Sequence, residues 1–142
     1  MPSVNIYIEC SINGIKPVDG KVVTVIEFVA SNGKTATKNI IKDVKDCTVK
    51  EAVLRALLHA IEQLNKPCEV VYAYLSNRYI YETIQNQRVK NWKENGWMNA
   101  KGQVVAYKEL WQQYDKATEY HQVWAAFYVH HSYMDWMRAQ FV

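Results

Sequence analysis

Asn91–Asp115 reads NWKENGWMNAKGQVVAYKELWQQYD. Aromatic and basic residues interleave along it, and the segment is too polar for a protein interior. Trp92 and Trp97 stand five apart around Lys93, Glu94, Asn95 and Gly96. Lys101-Gly102 marks a turn, Val104-Val105 is a short apolar pair, and Leu110-Trp111 opens a second helical pattern. Arg88, Lys90, Lys93, Lys101 and Lys108 gather beside the tryptophans. Lysines neutralise phosphates and indoles stack on bases, so Lys90, Trp92, Lys93, Trp97 and Lys101 suit a nucleic acid. The same indoles also suit packing of a protruding helix against Leu110 and Trp111, and both readings stay open.

Outward from this stretch the composition is that of a globular protein. The chain has 142 residues, expected to form a single domain over 1–142 with room for a sizeable core. A net charge of +3 is compatible with a polyanionic partner without demanding one. Cys10, Cys47 and Cys68 form neither a CxxC pair nor an even set, which predicts reduced thiols and no zinc site. The start, MPSVNIYIEC, has no basic region, long apolar run or cleavage site, and no run approaches the ~20 apolar residues of a membrane span. A cytoplasmic protein with no membrane partner is the expectation.

Alternation predicts a strand over 4–10, a second over 22–30 and a third over 35–44, with Ser31-Asn32-Gly33-Lys34 as the hairpin between the last two. The period then changes. Leu54, Leu57, Leu58, Ile61 and Leu64 recur at three and four, giving a helix over 48–64 capped by Asp46 or Thr48 and stopped near Pro67. Further expectations are a buried strand over 69–75, helices over 77–92 and 108–118, a fifth strand over 122–130, and a last helix over 132–141. The order is βββαβα, a helix, β, α: a mixed sheet with helices on its faces.

The layout NW-K-x-x-GW, then lysine and glycine, then LWQ-x-x-D resembles the basic protrusion and following helix of ribonuclease H, and the element order extends the likeness to nearly the whole chain. The resemblance implies an α/β fold with a five-stranded mixed sheet, three antiparallel strands then two parallel, flanked by helices. It also implies cleavage of the RNA strand of RNA–DNA hybrids by carboxylates that hold two magnesium ions. Carried over residue by residue, Glu9 in Ile8-Glu9-Cys10-Ser11 takes the place of the first aspartate, one methylene longer, and Cys10 replaces a glycine. Thr48 matches a phosphate-contacting threonine, and Val53 falls where the family's glutamate stands. The asparagines after that threonine are Val49 and Lys50. Glu51 is two residues from Val53, about 200° around a helix, and is expected to face away. Leu75-Ser76 replaces an Asp-Ser pair and is followed by Asn77. Asp135 matches the aspartate of the last helix, and His130 or His131 falls near a catalytic histidine, without the glycine-rich loop that follows it in the family.

The resemblance thus leaves Glu9 and Asp135 as candidate metal ligands and, with His130, as candidate catalytic groups, while Val53 and Leu75 mark lost ligands. Each has a plainer reading: a hydrogen-bonded acid at a strand end, a helix-surface aspartate, a turn histidine. Thr48 is equally a helix cap. His59 is expected to be structural. Two-metal hydrolysis needs several carboxylates to clamp two dications ~4 Å apart. The preferred expectation is therefore a nucleic-acid-binding domain, for an RNA–DNA hybrid or duplex, without hydrolysis and without a cofactor. Its contacts would be Lys90, Trp92, Lys93, Trp97 and Lys101, with Thr48, Ser76 and Asn77 toward the sheet. The alternatives are an active ribonuclease using magnesium or manganese at a rearranged site, and an interaction module. The latter would be a homodimer through the C-terminal helix carrying Tyr133, Met134, Trp136, Met137 and Phe141.

Overall fold

The computed structural model describes residues 3–64, 70–127 and 129–142. Three strands come first: β1 (Ser3–Cys10), β2 (Val18–Val29) and β3 (Thr35–Cys47). Then follow α1 (Val49–Glu62), β4 (Val70–Leu75), α2 (Arg78–Gln85), α3 (Arg88–Glu94), α4 (Lys108–Ala117), β5 (Val123–Phe127) and α5 (Met134–Ala139). The strands form one sheet in the order β3-β2-β1-β4-β5. β1, β2 and β3 pair antiparallel, whereas β1 with β4 and β4 with β5 pair parallel. This is the mixed sheet that the strand order predicted.

The hairpin between β2 and β3 turns at Gly33, whose φ of 84° lies in the region open to glycine. Ala30 and Lys34 close the turn, and the Asn32 side chain accepts the Lys34 N–H. β2 starts earlier than its β-branched run suggests, with an irregularity between Val18 and Gly20. A Cβ at Gly20 would lie 2.5 Å from Ile12 Cγ1, so glycine lets that part of the strand pass over the buried Ile12.

α1 is amphipathic as its spacing predicts. Leu54, Leu57, Leu58 and Ile61 are buried in one core with Ile6, Ile8, Ile26 and Val71 of the sheet. At about 1.5–3 kcal/mol for each fully buried aliphatic chain, this face dominates the stability of the layer. Thr48, rather than Asp46, is the cap, its side chain accepting the Glu51 N–H at 3.2 Å. His59, expected to be structural, faces solvent on this helix. Pro67 and Cys68 lie outside the described residues.

The helix expected over 77–92 is two helices. Gln87 between them adopts φ 52°, ψ 40°, a left-handed conformation that costs a non-glycine residue roughly 1–2 kcal/mol. The break redirects the chain so that Ile84 and Val89 both reach the core, which offsets that cost. α4 supplies the largest fully buried side chain, Trp111. Its Nε1 donates to the Tyr79 hydroxyl at 3.0 Å, and Trp92 and Tyr114 meet its ring edge-on.

The opposite sheet face carries Tyr7, Val23 and Val25 and is covered by the short α5 through Met137. The C-terminal helix is shorter than its sequence pattern suggests, because Tyr133 is the residue before its first turn. Among the described residues no helix is long and apolar enough to cross a membrane.

Candidate functional site

β1 and β4 run parallel, with Tyr7 paired to Tyr74. Glu9, two residues further along β1, and Ser76, the residue after β4, line the same hollows at the carboxyl ends of these strands, where open α/β sheets place their ligands. Glu9 is 5% exposed and, among the described residues, is buried as a polar or charged side chain together with Thr24 and Thr83. Its Oε1 accepts a hydrogen bond from Arg138 Nε at 2.8 Å, closing an ion pair between β1 and α5. The two partners are unequally exposed: the Arg138 side chain is 46% exposed and that of Glu9 7%. Arg138 escaped the sequence reading. No local spacing signals it, since its partner lies 129 positions earlier in the chain.

Two hollows adjoin Glu9. A polar cleft of about 420 Å³ is lined by Glu9, Ser11, Asn13, Ser76, Asn77 and Arg138, among others. A small cavity that Glu9 and Ser76 also line is bounded by Tyr74, Leu75, Val129, His131 and Met134. His131, and not its neighbour His130, therefore shares a cavity with Glu9. His130 is exposed. The His131 ring lies 4.3 Å from that of Tyr7, and its Nδ1 accepts the Tyr133 N–H at 3.2 Å. Burial holds the His131 imidazole below the usual histidine range, an effect opposed by Glu9 and reinforced by His130 and Arg138. Tyr7 is pushed up, by burial first and then by Glu27.

Leu75 and Val53 are 3% and 2% exposed and belong to the same apolar core. Asp135 is exposed at the start of α5. Glu51 points elsewhere, as the helical rotation predicted: its carboxylate accepts from Cys47 Sγ at 3.3 Å and pairs with Arg55 at 3.4 Å. Burial, with this hydrogen bond, raises the Cys47 thiol to about 11. Among the described residues no group of three or more histidine, cysteine or acidic side chains could hold a metal ion.

The basic segment lies on α3 and the loop after it. Lys90, Lys93 and Lys101 are exposed, and Lys93 Nζ bridges to Asp115 at 3.0 Å. Trp92 and Trp97 are half-buried and pack on the core. Trp97 has φ 62° and its N–H bonds back to the Trp92 carbonyl, which fixes the loop. Asn99 holds the following turn, its Oδ1 accepting from Lys101 and Gln103. Thr48 combines its cap with a 2.9 Å hydrogen bond to the Tyr107 hydroxyl, and Asn77 caps α2 through the Ile80 N–H at 3.0 Å. On α5, Met134 and Met137 are buried whereas Trp136 is 41% exposed.

The RNase H family model matches residues 1–135. Ribonuclease H of Acetivibrio thermocellus is 29% identical over 123 residues, 87% of this chain and 79% of that protein. Ribonuclease H of Francisella tularensis subsp. novicida is 34% identical over 86 residues, 61% of this chain; the match spans 55% of that protein's length. Among solved structures, LC9-RNase H1, a type 1 RNase H with the type 2 active-site motif, has a TM-score of 0.74 at 18% identity. That comparison covers 98% of this chain and 70% of that one. The foamy viral protease-reverse transcriptase in complex with RNA/DNA hybrid has a TM-score of 0.65 at 12% identity, over 97% of this chain and 18% of that one. The two solved structures speak for the fold, and the family match extends over nearly the entire sequence: this chain belongs to the ribonuclease H family.

Proposed function

We propose that this ribonuclease H family member binds nucleic acid, an RNA–DNA hybrid or a duplex, and does not hydrolyse it. The observation that carries the reading is the Glu9–Arg138 pair, with Leu75 lining a cavity beside Glu9 and Val53 buried in the same apolar core as Leu75. Magnesium requires near-ideal octahedral oxygen coordination, and a two-metal site must neutralise two dications. An acid already engaged by a guanidinium, two hydrocarbon side chains and an exposed Asp135 do not fit that donor set. Binding rests on Lys90, Lys93 and Lys101, with Trp92 and Trp97 shaping the loop that carries them. Thr48, Ser76 and Asn77 extend the surface toward the sheet. The foamy viral relative in complex with RNA/DNA hybrid makes such a hybrid the first ligand to try.

The test pairs two measurements on a fluorescent hybrid. Anisotropy should report binding that weakens steeply with salt. If the three lysines each neutralise one phosphate, the slope of log K against log salt is about −2 to −3. Incubation with magnesium or manganese should leave the RNA strand intact. Metal-dependent cleavage abolished by Glu9→Gln would overturn the non-hydrolytic reading. It would establish the second one, an active ribonuclease with a rearranged site. That second reading draws support from LC9-RNase H1, which carries the type 2 motif on a type 1 enzyme.

A further inference from the structure

We propose that the cleft between α2, α3 and α4, at the amino end of β5, binds a small monocarboxylate with an apolar body. It shares no residue with the hollows beside Glu9. Its volume is about 200 Å³. At ~30 Å³ per water in the liquid, that is room for about seven waters, which suits a single ring bearing one charged group. Ile84 and Val89, brought together by the break at Gln87, form its apolar side with Val123 of β5.

Tyr114 carries the inference. It is 7% exposed, its ring meets that of Trp111 edge-on at 5.3 Å, and it borders the cleft. Its hydroxyl makes no hydrogen bond among the described residues. No fully buried side-chain oxygen among those residues lacks a partner, so this oxygen reaches the surface, which Tyr114 meets at the cleft. Burial, and then Asp115, raises the pKa of the hydroxyl, which therefore keeps its proton and offers a donor. Packing fixes the ring, so the donor is in place before a ligand arrives and the ordering cost of binding is low.

Lys90 supplies the charge. It is exposed, lines the same cleft and forms no ion pair among the described residues. Asp115, the acid on the opposite wall, is held at 3.0 Å by Lys93, which does not line the cleft. An anion resting on the apolar side thus meets a cation and a hydroxyl donor. A cation there would meet an acid already compensated and Lys90 itself.

The experiment titrates the protein with benzoate, benzamide and benzylamine, which share a ring and differ in charge, at neutral pH and constant ionic strength. Amide NMR shifts report binding. Benzoate should saturate with a Kd on the order of 1 mM, its shifts grouped on the residues around the cleft. Benzamide should bind about fivefold more weakly, and benzylamine more weakly still. Lys90→Met should reduce benzoate to the affinity of benzamide. Tyr114→Phe should weaken benzoate about fivefold and leave thermal unfolding unchanged, because the hydroxyl has no partner within the protein.

Benzoate binding no tighter than benzamide, shifts that saturate elsewhere on the basic surface, or no saturation below about 20 mM overturns the proposal. So does a preference for benzoate that survives Lys90→Met, or an unchanged affinity in Tyr114→Phe. A Tyr114→Phe protein that melts earlier or does not fold places the hydroxyl in a structural bond, which overturns the proposal too. No nucleic acid is present in these titrations, so their failure leaves the hybrid-binding reading untouched.

Discussion

Leu75→Asp puts a carboxyl group at the end of β4, the position whose chemistry separates a metal cage from a hydrophobic core. Leu75 is 3% exposed, in the same core as Val53, and it borders the cavity shared by Glu9 and His131. Replacing the leucine forfeits about 1.5–3 kcal/mol of burial. A carboxyl group left there without a hydrogen-bond partner costs about 1–3 kcal/mol more. The expected loss is about 3–5 kcal/mol. For a chain of this size, between the ranges of small and large domains, that lowers Tm by roughly 10–20 °C. Leu75→Asn, close in shape and uncharged, separates the effect of charge from that of lost packing. The assay is thermal unfolding by circular dichroism, with and without magnesium. A ligand that binds only the folded state at a hundred times its Kd restores about 2.7 kcal/mol, so a reconstituted metal site would reveal itself by recovery of Tm. No recovery is expected. A loss below about 1 kcal/mol, or a Tm returned by magnesium, would refute the reasoning, since either means that the position accommodates an ionised acid beside Glu9.

Trp111→Ala removes the largest fully buried side chain, its hydrogen bond to Tyr79 and its edge contacts with Trp92 and Tyr114. It should cost about 3–5 kcal/mol in a urea titration. Because Trp92 then loses its support, hybrid binding should weaken even under conditions where the variant remains folded. Thr48→Val deletes the α1 cap and the bond to Tyr107, for a loss of about 1 kcal/mol seen as a lower urea midpoint with unchanged slope. His131 and His121 are both held below the usual histidine range by burial. Their folded pKa values lie under those of the unfolded chain, so the unfolded state takes up protons first as pH falls below about 6.5. Stability is then full above that value and declines as pH falls through the folded pKa values. His131→Gln should flatten part of this decline in urea midpoints measured between about pH 7.5 and 5.5.

Much of the fold could be read from local patterns. Alternation marked β1 and the β2–β3 hairpin, and the three-and-four spacing of Leu54, Leu57, Leu58 and Ile61 marked α1, because these periods are set by backbone geometry within a few residues. The break at Gln87 left no such trace. No glycine or proline stands there, and the left-handed turn is imposed by the need to bury Ile84 and Val89 together. The choice between His130 and His131 was equally hidden, since they are neighbours in the connection between β5 and α5, where no strand or helix period marks which side chain turns inward. One reaches the cavity beside Glu9 and the other reaches solvent.

By itself the sequence determined which elements form and in what order, which acids occur near the family's ligand positions, and that Val53 and Leu75 bring hydrocarbon to two of them. Those are properties of single residues and short windows. Only the tertiary structure decided what Glu9 touches. Its partner comes from the last helix, on the opposite side of the sheet from α1, and the pairing depends on how α5 lies over Tyr7, Val23 and Val25. Electrostatic partnership is fixed by distance in space, and the 129 positions between Glu9 and Arg138 carry no record of the 2.8 Å that separates their side chains.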